Sequence, residues 1–164
     1  MYQNIFPDSN PSQNTIDMLG ESIIFKERQL QLLQWLIDQA TISETYQTPE
    51  LSPTQAKDVI ALLQFIRDQK LIHSNILYNM YSRLTNAYPP PYEGYSSPPE
   101  NILSGLEMAI LENLESAQRN RLIMNGLQEQ SDKFLISSII SDEINYANLL
   151  SYITLSLKNP QTQV

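Results

Sequence analysis

Cysteine is absent from this chain of 164 residues, so disulfides, thiolate zinc sites and cysteine nucleophiles are all excluded. A single histidine, His73, also excludes any site that needs two imidazoles from one chain. Glycine is scarce, with four residues, and the alternating apolar and polar pattern of strands is nearly missing. These absences favour a mainly helical fold.

Basic residues are also few, since ten Lys and Arg against eighteen Asp and Glu give a net charge of −8. Nucleic acid and anionic membrane surfaces both require a basic face, so neither is an expected partner. No apolar run approaches membrane-spanning length. The start, MYQNIFPDSNPSQN, has neither the basic nor the apolar region of a signal peptide. We therefore expect a cytoplasmic protein.

The chain divides into a loose arm (1–14), one helical domain (15–158) and a frayed tail (159–164). The apolar spacing and the capping signals predict helices near 15–39, 53–85, 98–126 and 131–158, with a polar loop over 41–51. Ser52-Pro53-Thr54-Gln55 is a start signal, because it combines a serine N-cap, an early proline and a glutamine three residues later. Ser97-Pro98-Pro99-Glu100 repeats this pattern and predicts the start of the third helix.

A proline-rich crossover (86–97) begins the segment NAYPPPYEGYSSPP between the second and third helices. Its three consecutive prolines favour a polyproline II rod, and some twelve residues in that form span about 35 Å. A helix of about 25 residues has a similar length, so the crossover can leave these two helices parallel. We predict two antiparallel helical hairpins joined by this crossover. Its tyrosines, Tyr88, Tyr92 and Tyr95, either pack on the prolines or form a partner-docking surface.

Polar residues interrupt the apolar stripes of two predicted helices. The second stripe contains Lys70 and His73 among Val59, Leu62, Ile66, Leu77, Met80 and Leu84, and the fourth contains Glu143 and Tyr146 among Ile136, Ile139, Leu150, Ile153 and Leu157. Burying a charge on such a face is costly unless it finds a partner. A polar layer in the middle of a helical bundle is also where metal and cofactor sites are built.

Several segments resemble small bacterial rubrerythrin-type proteins of the ferritin-like superfamily, over roughly residues 15–157. They are IRDQKLIHSNILYNMYSRLTN on the second helix, the proline crossover with GLEMAILENLESAQRNRL on the third, and DEINYANLL on the fourth. The resemblance implies a ferritin-like four-helix bundle with a di-iron or di-manganese centre. Its six ligands are one glutamate on each of the first and third helices, and Glu-x-x-His on each of the second and fourth.

Carried over position by position, the resemblance implies an incomplete centre. Glu27, His73 and Glu143 stand at ligand positions, whereas Lys70, Asn113 and Tyr146 replace a glutamate, a glutamate and a histidine. We therefore predict that Lys70 takes the place of the ions and binds both Glu27 and Glu143. The protein would then have no cofactor and no catalytic residues, and would act structurally or through a partner, either a second copy as a homodimer or another protein.

Two alternatives stay open. Glu27, His73 and Glu143 could hold one iron or manganese ion, with water completing the shell, which implies a metal-dependent oxidoreductase or peroxidase. Glu112 or Glu115 could instead turn inward in place of Asn113.

Overall fold

The computed structural model describes residues 10–94 and 97–159, so most of the predicted arm and tail lies outside the described residues. Four helices account for most of these ranges, and no strand occurs in them: α1 (Gln13–Tyr46), α2 (Pro53–Thr85), α3 (Ile102–Gly126) and α4 (Gln130–Lys158). The predicted all-α four-helix bundle is confirmed. Within the described ranges, no helix combines the length and apolar character that membrane crossing requires.

The start of α2 follows the sequence prediction. The Ser52 hydroxyl accepts a hydrogen bond from the Gln55 backbone N–H at 3.3 Å, and the Gln55 side-chain carbonyl accepts one from the Ser52 N–H at 2.9 Å. This reciprocal pair satisfies two donors that the first turn of a helix leaves free. The helix ends at Asn86, which adopts the left-handed conformation with φ 55°.

The predicted start of α3 at Ser97 is wrong, because the helix begins later at Ile102 with Asn101 as its N-cap. The Asn101 side-chain oxygen lies 2.8 Å from the Ser104 N–H, and the Ser104 hydroxyl accepts from the Asn101 N–H at 3.2 Å. Pro98 and Pro99 disfavour helical backbone in the residues before them, so the helix does not begin at Ser97.

Helix α1 continues to Tyr46, well past the predicted end near residue 39. The polar residues after that point hydrogen-bond to the helix itself. The Thr41 hydroxyl donates to the Ile37 carbonyl, and the Thr45 hydroxyl donates to the Thr41 carbonyl. The helix stops only at Gln47, where the backbone turns left-handed.

The helix directions follow from pairs of contacts between neighbours. On α1, Gln34 and Glu27 hydrogen-bond to Arg67 and Ser74 of α2, so the residue numbers run in opposite directions. Residues 22 and 29 of α1 likewise contact residues 120 and 112 of α3. Both α2 and α3 are therefore antiparallel to α1, and they run in the same direction as each other. Helix α4 packs against α3 and α2.

The crossover follows α1 from one end of the bundle toward the other. The Pro90 ring lies against Gly20, and the Tyr92 hydroxyl donates to the Gln31 side chain at 3.3 Å. Further along, Pro99 lies against Gly105 of α3, where an added Cβ would be only 2.7 Å from Leu36. Tyr88 contacts Tyr78 but stays largely exposed, and Tyr95 lies outside the described residues.

The apolar core consists of two clusters at opposite ends of the bundle. One is built around Leu33, Leu36, Leu63, Ile66, Leu106 and Leu150, and the other around Leu19, Leu77, Ile123, Ile136 and Ile139. Buried polar side chains separate the two clusters at mid-height.

Candidate functional site

A buried polar layer occupies the middle of the bundle and draws on all four helices. No member is more than 8% exposed. The members are Lys26, Gln29, Lys70, His73, Glu112, Asn113, Ser116, Glu143 and Tyr146. Such a set of polar groups is stable in a core only where the groups satisfy one another.

Glu143 lies at the centre of the layer, and each of its two carboxylate oxygens contacts the ammonium group of a different lysine. Lys26 Nζ is 2.6 Å from Glu143 Oε1, and Lys70 Nζ is 2.7 Å from Glu143 Oε2. All three side chains are essentially inaccessible to water. Burial opposes ionisation of the Glu143 carboxyl, but the two ammonium groups outweigh it and hold its pKa far below the usual value.

The two lysines have one further polar partner each. Lys70 donates to the Gln29 side-chain carbonyl at 3.2 Å, and Lys26 donates to the Ser116 hydroxyl at 3.1 Å. Burial, together with the positive charge of Lys26, lowers the pKa of Lys70 to about 7 despite the attraction of Glu143. Two ammonium groups and one carboxylate leave one surplus positive charge, and loss of a proton from Lys70 removes it.

His73 connects this layer to the edge of the bundle. Its Nε2 lies 3.0 Å from Asp142 Oδ2, whose side chain is 42% exposed. Its Nδ1 is 3.5 Å from Glu143 Oε1, which is too far for a good hydrogen bond, and it has no partner among the described residues. The Tyr146 ring stacks on the imidazole with centroids 6.1 Å apart. His73 and Tyr146 are therefore packed core groups, as the stripes predicted.

Glu27 does not belong to the layer, so the prediction that Lys70 bridges Glu27 and Glu143 is wrong for Glu27. That carboxylate is only partly buried and accepts a hydrogen bond from the Ser74 hydroxyl at 3.2 Å. Gln29 takes its place beside Lys70. Lys26, the residue before Glu27, points into the core and supplies the second cation of the layer. This role of Lys26 was not predicted from the sequence.

Asn113 is buried as predicted, but its amide donates to the Ala109 carbonyl of its own helix at 2.7 Å. The neighbouring Glu112 is also nearly buried, with Oε1 3.1 Å from Arg28 Nε. Burial raises the pKa of Glu112, and Arg28 opposes this rise. Glu115 stays exposed and pairs with Arg119 at 2.8 Å. Of these two glutamates, only Glu112 turns inward, and it lies beside the buried Asn113 instead of replacing it.

Metal-binding capacity is limited by these contacts. Within residues 10–94 and 97–159, no group of three or more His, Asp or Glu side chains is placed to hold a metal ion. Glu27, His73 and Glu143 thus do not form one group. Both oxygens of Glu143 already accept from ammonium groups, which carry the positive charge that a metal would supply.

The fold and the layer together define a class of protein: an all-helical four-helix bundle with a buried ionic cluster in its core. No family model, no curated protein and no solved structure matches the chain. The arguments that follow therefore rest on the residues and the geometry of this chain.

Proposed function

We propose that this chain is a ferritin-like protein without a metal cofactor, and that it acts structurally or by binding a protein partner. In this proposal the Lys26–Glu143–Lys70 cluster stands where the ferritin-like proteins that it resembles hold two metal ions. The observation that carries the proposal is the pair of buried ammonium groups on the two oxygens of Glu143.

Electrostatics supports the proposal first. A divalent ion at Glu143 would lie within a few ångströms of two ammonium groups, and buried like charges at that range repel strongly. Binding would require both lysines to lose their protons or to move away. Within residues 10–94 and 97–159, neither lysine has a carboxylate other than Glu143 within hydrogen-bonding distance.

The chain path supports the ferritin-like part of the proposal. Helices α2 and α3 run in the same direction, and a long connection joins them along α1. A four-helix bundle with one long crossover between two hairpins is the topology of ferritin-like folds. The polar layer also lies at mid-height, where those folds build their metal centres.

The competing function is a metal-dependent oxidoreductase or peroxidase that uses Glu27, His73 and Glu143 with one iron or manganese ion. This function would need Glu27 to leave Ser74 and turn toward the core. It would also need both lysines to lose their protons or to move away from Glu143. No contact among the described residues favours that rearrangement, so the metal-free function is preferred.

Metal analysis tests the proposal directly. Tag-free protein is loaded anaerobically with iron, manganese and zinc, desalted, and measured by mass spectrometry. We expect less than about 0.1 metal per chain in every condition, since a bound ion needs deprotonated ligands that are free of competing cations. A stoichiometry near one metal per chain that is lost in Glu27→Ala and His73→Ala would overturn the proposal in favour of the oxidoreductase.

A further inference from the structure

A long groove follows the outer seam between α1 and α3. It consists of two adjoining depressions of about 730 and 460 Å³ that share Glu115 as a lining residue. The larger one reaches Trp35 and the crossover prolines, and the smaller one reaches Met18 and Leu122. We call this surface the α1–α3 groove.

The α3 side of the groove is apolar and exposed. Met108, Leu111, Leu114 and Leu122 are between 42% and 67% exposed, and their spacing places them on one side of the helix. The stretch from Met108 to Leu122 is about 21 Å long at 1.5 Å per residue. An apolar stripe of this length on a helix that already buries its opposite face is typical of an interaction surface.

The charges that line the groove are mainly acidic. Among the described residues that line the groove, four are acidic and two are basic: Glu21, Asp38, Glu112 and Glu115 against Arg28 and Arg119. Both arginines are already paired with these carboxylates. One oxygen of the nearly buried Glu112, Oε2, has no hydrogen-bond partner among the described residues. The groove therefore has unused capacity for positive charge.

The overall charge decides between two kinds of occupant. A second copy of this chain would bring another net charge of −8 and a second acidic groove to the interface. Like charges across an interface oppose association, whereas a basic partner is attracted and steered. An amphipathic helix fits the shape, since its apolar face can lie between two helices while its flanks meet the acidic rim.

We propose that the α1–α3 groove docks a basic amphipathic helix of another protein. This inference deepens the partner-binding role proposed above and rests on it. Leu111, Leu114 and Leu122 supply the apolar contact, and Glu115 and Asp38 supply rim charges for lysine or arginine side chains.

A synthetic peptide provides the test. The probe is a helix of about 18 residues, roughly 27 Å long, with leucines on one face, lysines on the flanks and no aromatic residue. Trp35 is the only tryptophan of the chain and lines the groove, so its emission reports binding at this place. We expect a saturable change in Trp35 emission, with matching affinity by titration calorimetry.

Two variants with matched controls locate the binding. Leu111→Gln with Leu122→Gln should weaken binding at least about tenfold, because two exposed apolar contacts are lost. Leu155→Gln on α4 replaces a leucine of similar exposure, 59%, outside the groove and should change the affinity less than about twofold. A peptide of the same composition with its leucines scattered around the helix should bind at least about tenfold more weakly.

Three results would overturn the proposal. The first is that the scattered peptide binds as tightly as the amphipathic one. The second is that Leu155→Gln weakens binding as much as Leu111→Gln with Leu122→Gln does. The third is that the peptide binds without any change in Trp35 emission. A concentration-dependent dimer in sedimentation that Leu111→Gln with Leu122→Gln abolishes would assign the groove to a second copy instead. Metal content is measured separately, so failure of the metal-free proposal is distinguishable from failure of the docking proposal.

Discussion

Because two buried lysines share the carboxylate of Glu143, we expect its removal to lower the free energy of unfolding much more than removal of Lys70 does. In the part of the chain that the structure describes, Glu143 is the one carboxylate that both buried lysines contact, so Glu143→Gln leaves two ammonium groups in the core without a counter-charge. Breaking a buried ion pair from one side typically lowers the free energy of unfolding by about 3–5 kcal/mol. For a chain of this size, that loss corresponds to a melting temperature lower by roughly 9–15 °C.

Lys70→Met should be far milder. The variant keeps a side chain of similar shape and leaves the Lys26–Glu143 pair intact at 2.6 Å. It also removes an ammonium group whose burial lowers its pKa to about 7. The loss of two hydrogen bonds, to Glu143 and Gln29, is offset by that relief, and we expect a change of about 1 kcal/mol or less.

Urea unfolding followed by circular dichroism measures both changes at pH 7. The triple variant Lys26→Met, Lys70→Met and Glu143→Met is the control, because it removes the whole cluster and should recover most of the stability that Glu143→Gln loses. A Lys70→Met variant as damaged as Glu143→Gln would refute the reasoning, since it would make Lys70 indispensable rather than surplus.

The titration of Lys70, the charge of the polar layer and the N-cap of α3 give three further predictions. The pKa of Lys70 is about 7 in the folded protein and 10.5 in the unfolded chain, so the unfolded chain binds more protons between these values. Stability should thus rise by about 2 kcal/mol from pH 7 to pH 9 through this group, and urea titrations of Lys70→Met should lack that part of the slope. Lys26→Glu with Lys70→Glu places new carboxylates beside Glu143 and His73, so this variant should gain metal by mass spectrometry and melt higher with manganese than with chelator; equal melting would contradict it. Asn101→Ala should destabilise the protein by about 1 kcal/mol in thermal unfolding while Ser97→Ala changes little, because only Asn101 caps α3.

Sequence periodicity located four of the nine members of the buried polar layer. On α2 and α4 the polar residues replace members of regular apolar stripes, and so Lys70, His73, Glu143 and Tyr146 are buried as their spacing requires. The partners within the layer were harder to predict, because spacing gives the face of a helix but not the contacts across the core. Nothing in the spacing shows that Lys70 contacts Gln29.

The error at Glu27 has a simple geometric cause. Neighbouring residues of a helix point about 100° apart, so an assignment displaced by one residue turns a core side chain toward the surface. The position-by-position resemblance selected Glu27. Lys26, in contrast, belongs to a set of almost fully buried positions that are seven residues apart, with Leu19, Leu33 and Ala40. That series was readable in the sequence and would have identified the second lysine.

The ionic cluster can specify the register of neighbouring helices more strongly than the apolar clusters can. Leucine and isoleucine side chains tolerate repacking, so apolar layers alone specify the register of neighbouring helices weakly. A shift of α1 or α2 by one turn moves a side chain about 5.4 Å and would separate Lys26 or Lys70 from Glu143. The displaced ammonium group would then be buried without a counter-charge, at a large energetic penalty. Our hypothesis is that the cluster fixes the register in which the groove-lining faces of α1 and α3 are presented. The triple methionine variant separates this role from stability, since it should stay folded but show broadened amide signals in NMR spectra; a single sharp set of signals would argue that packing alone sets the register.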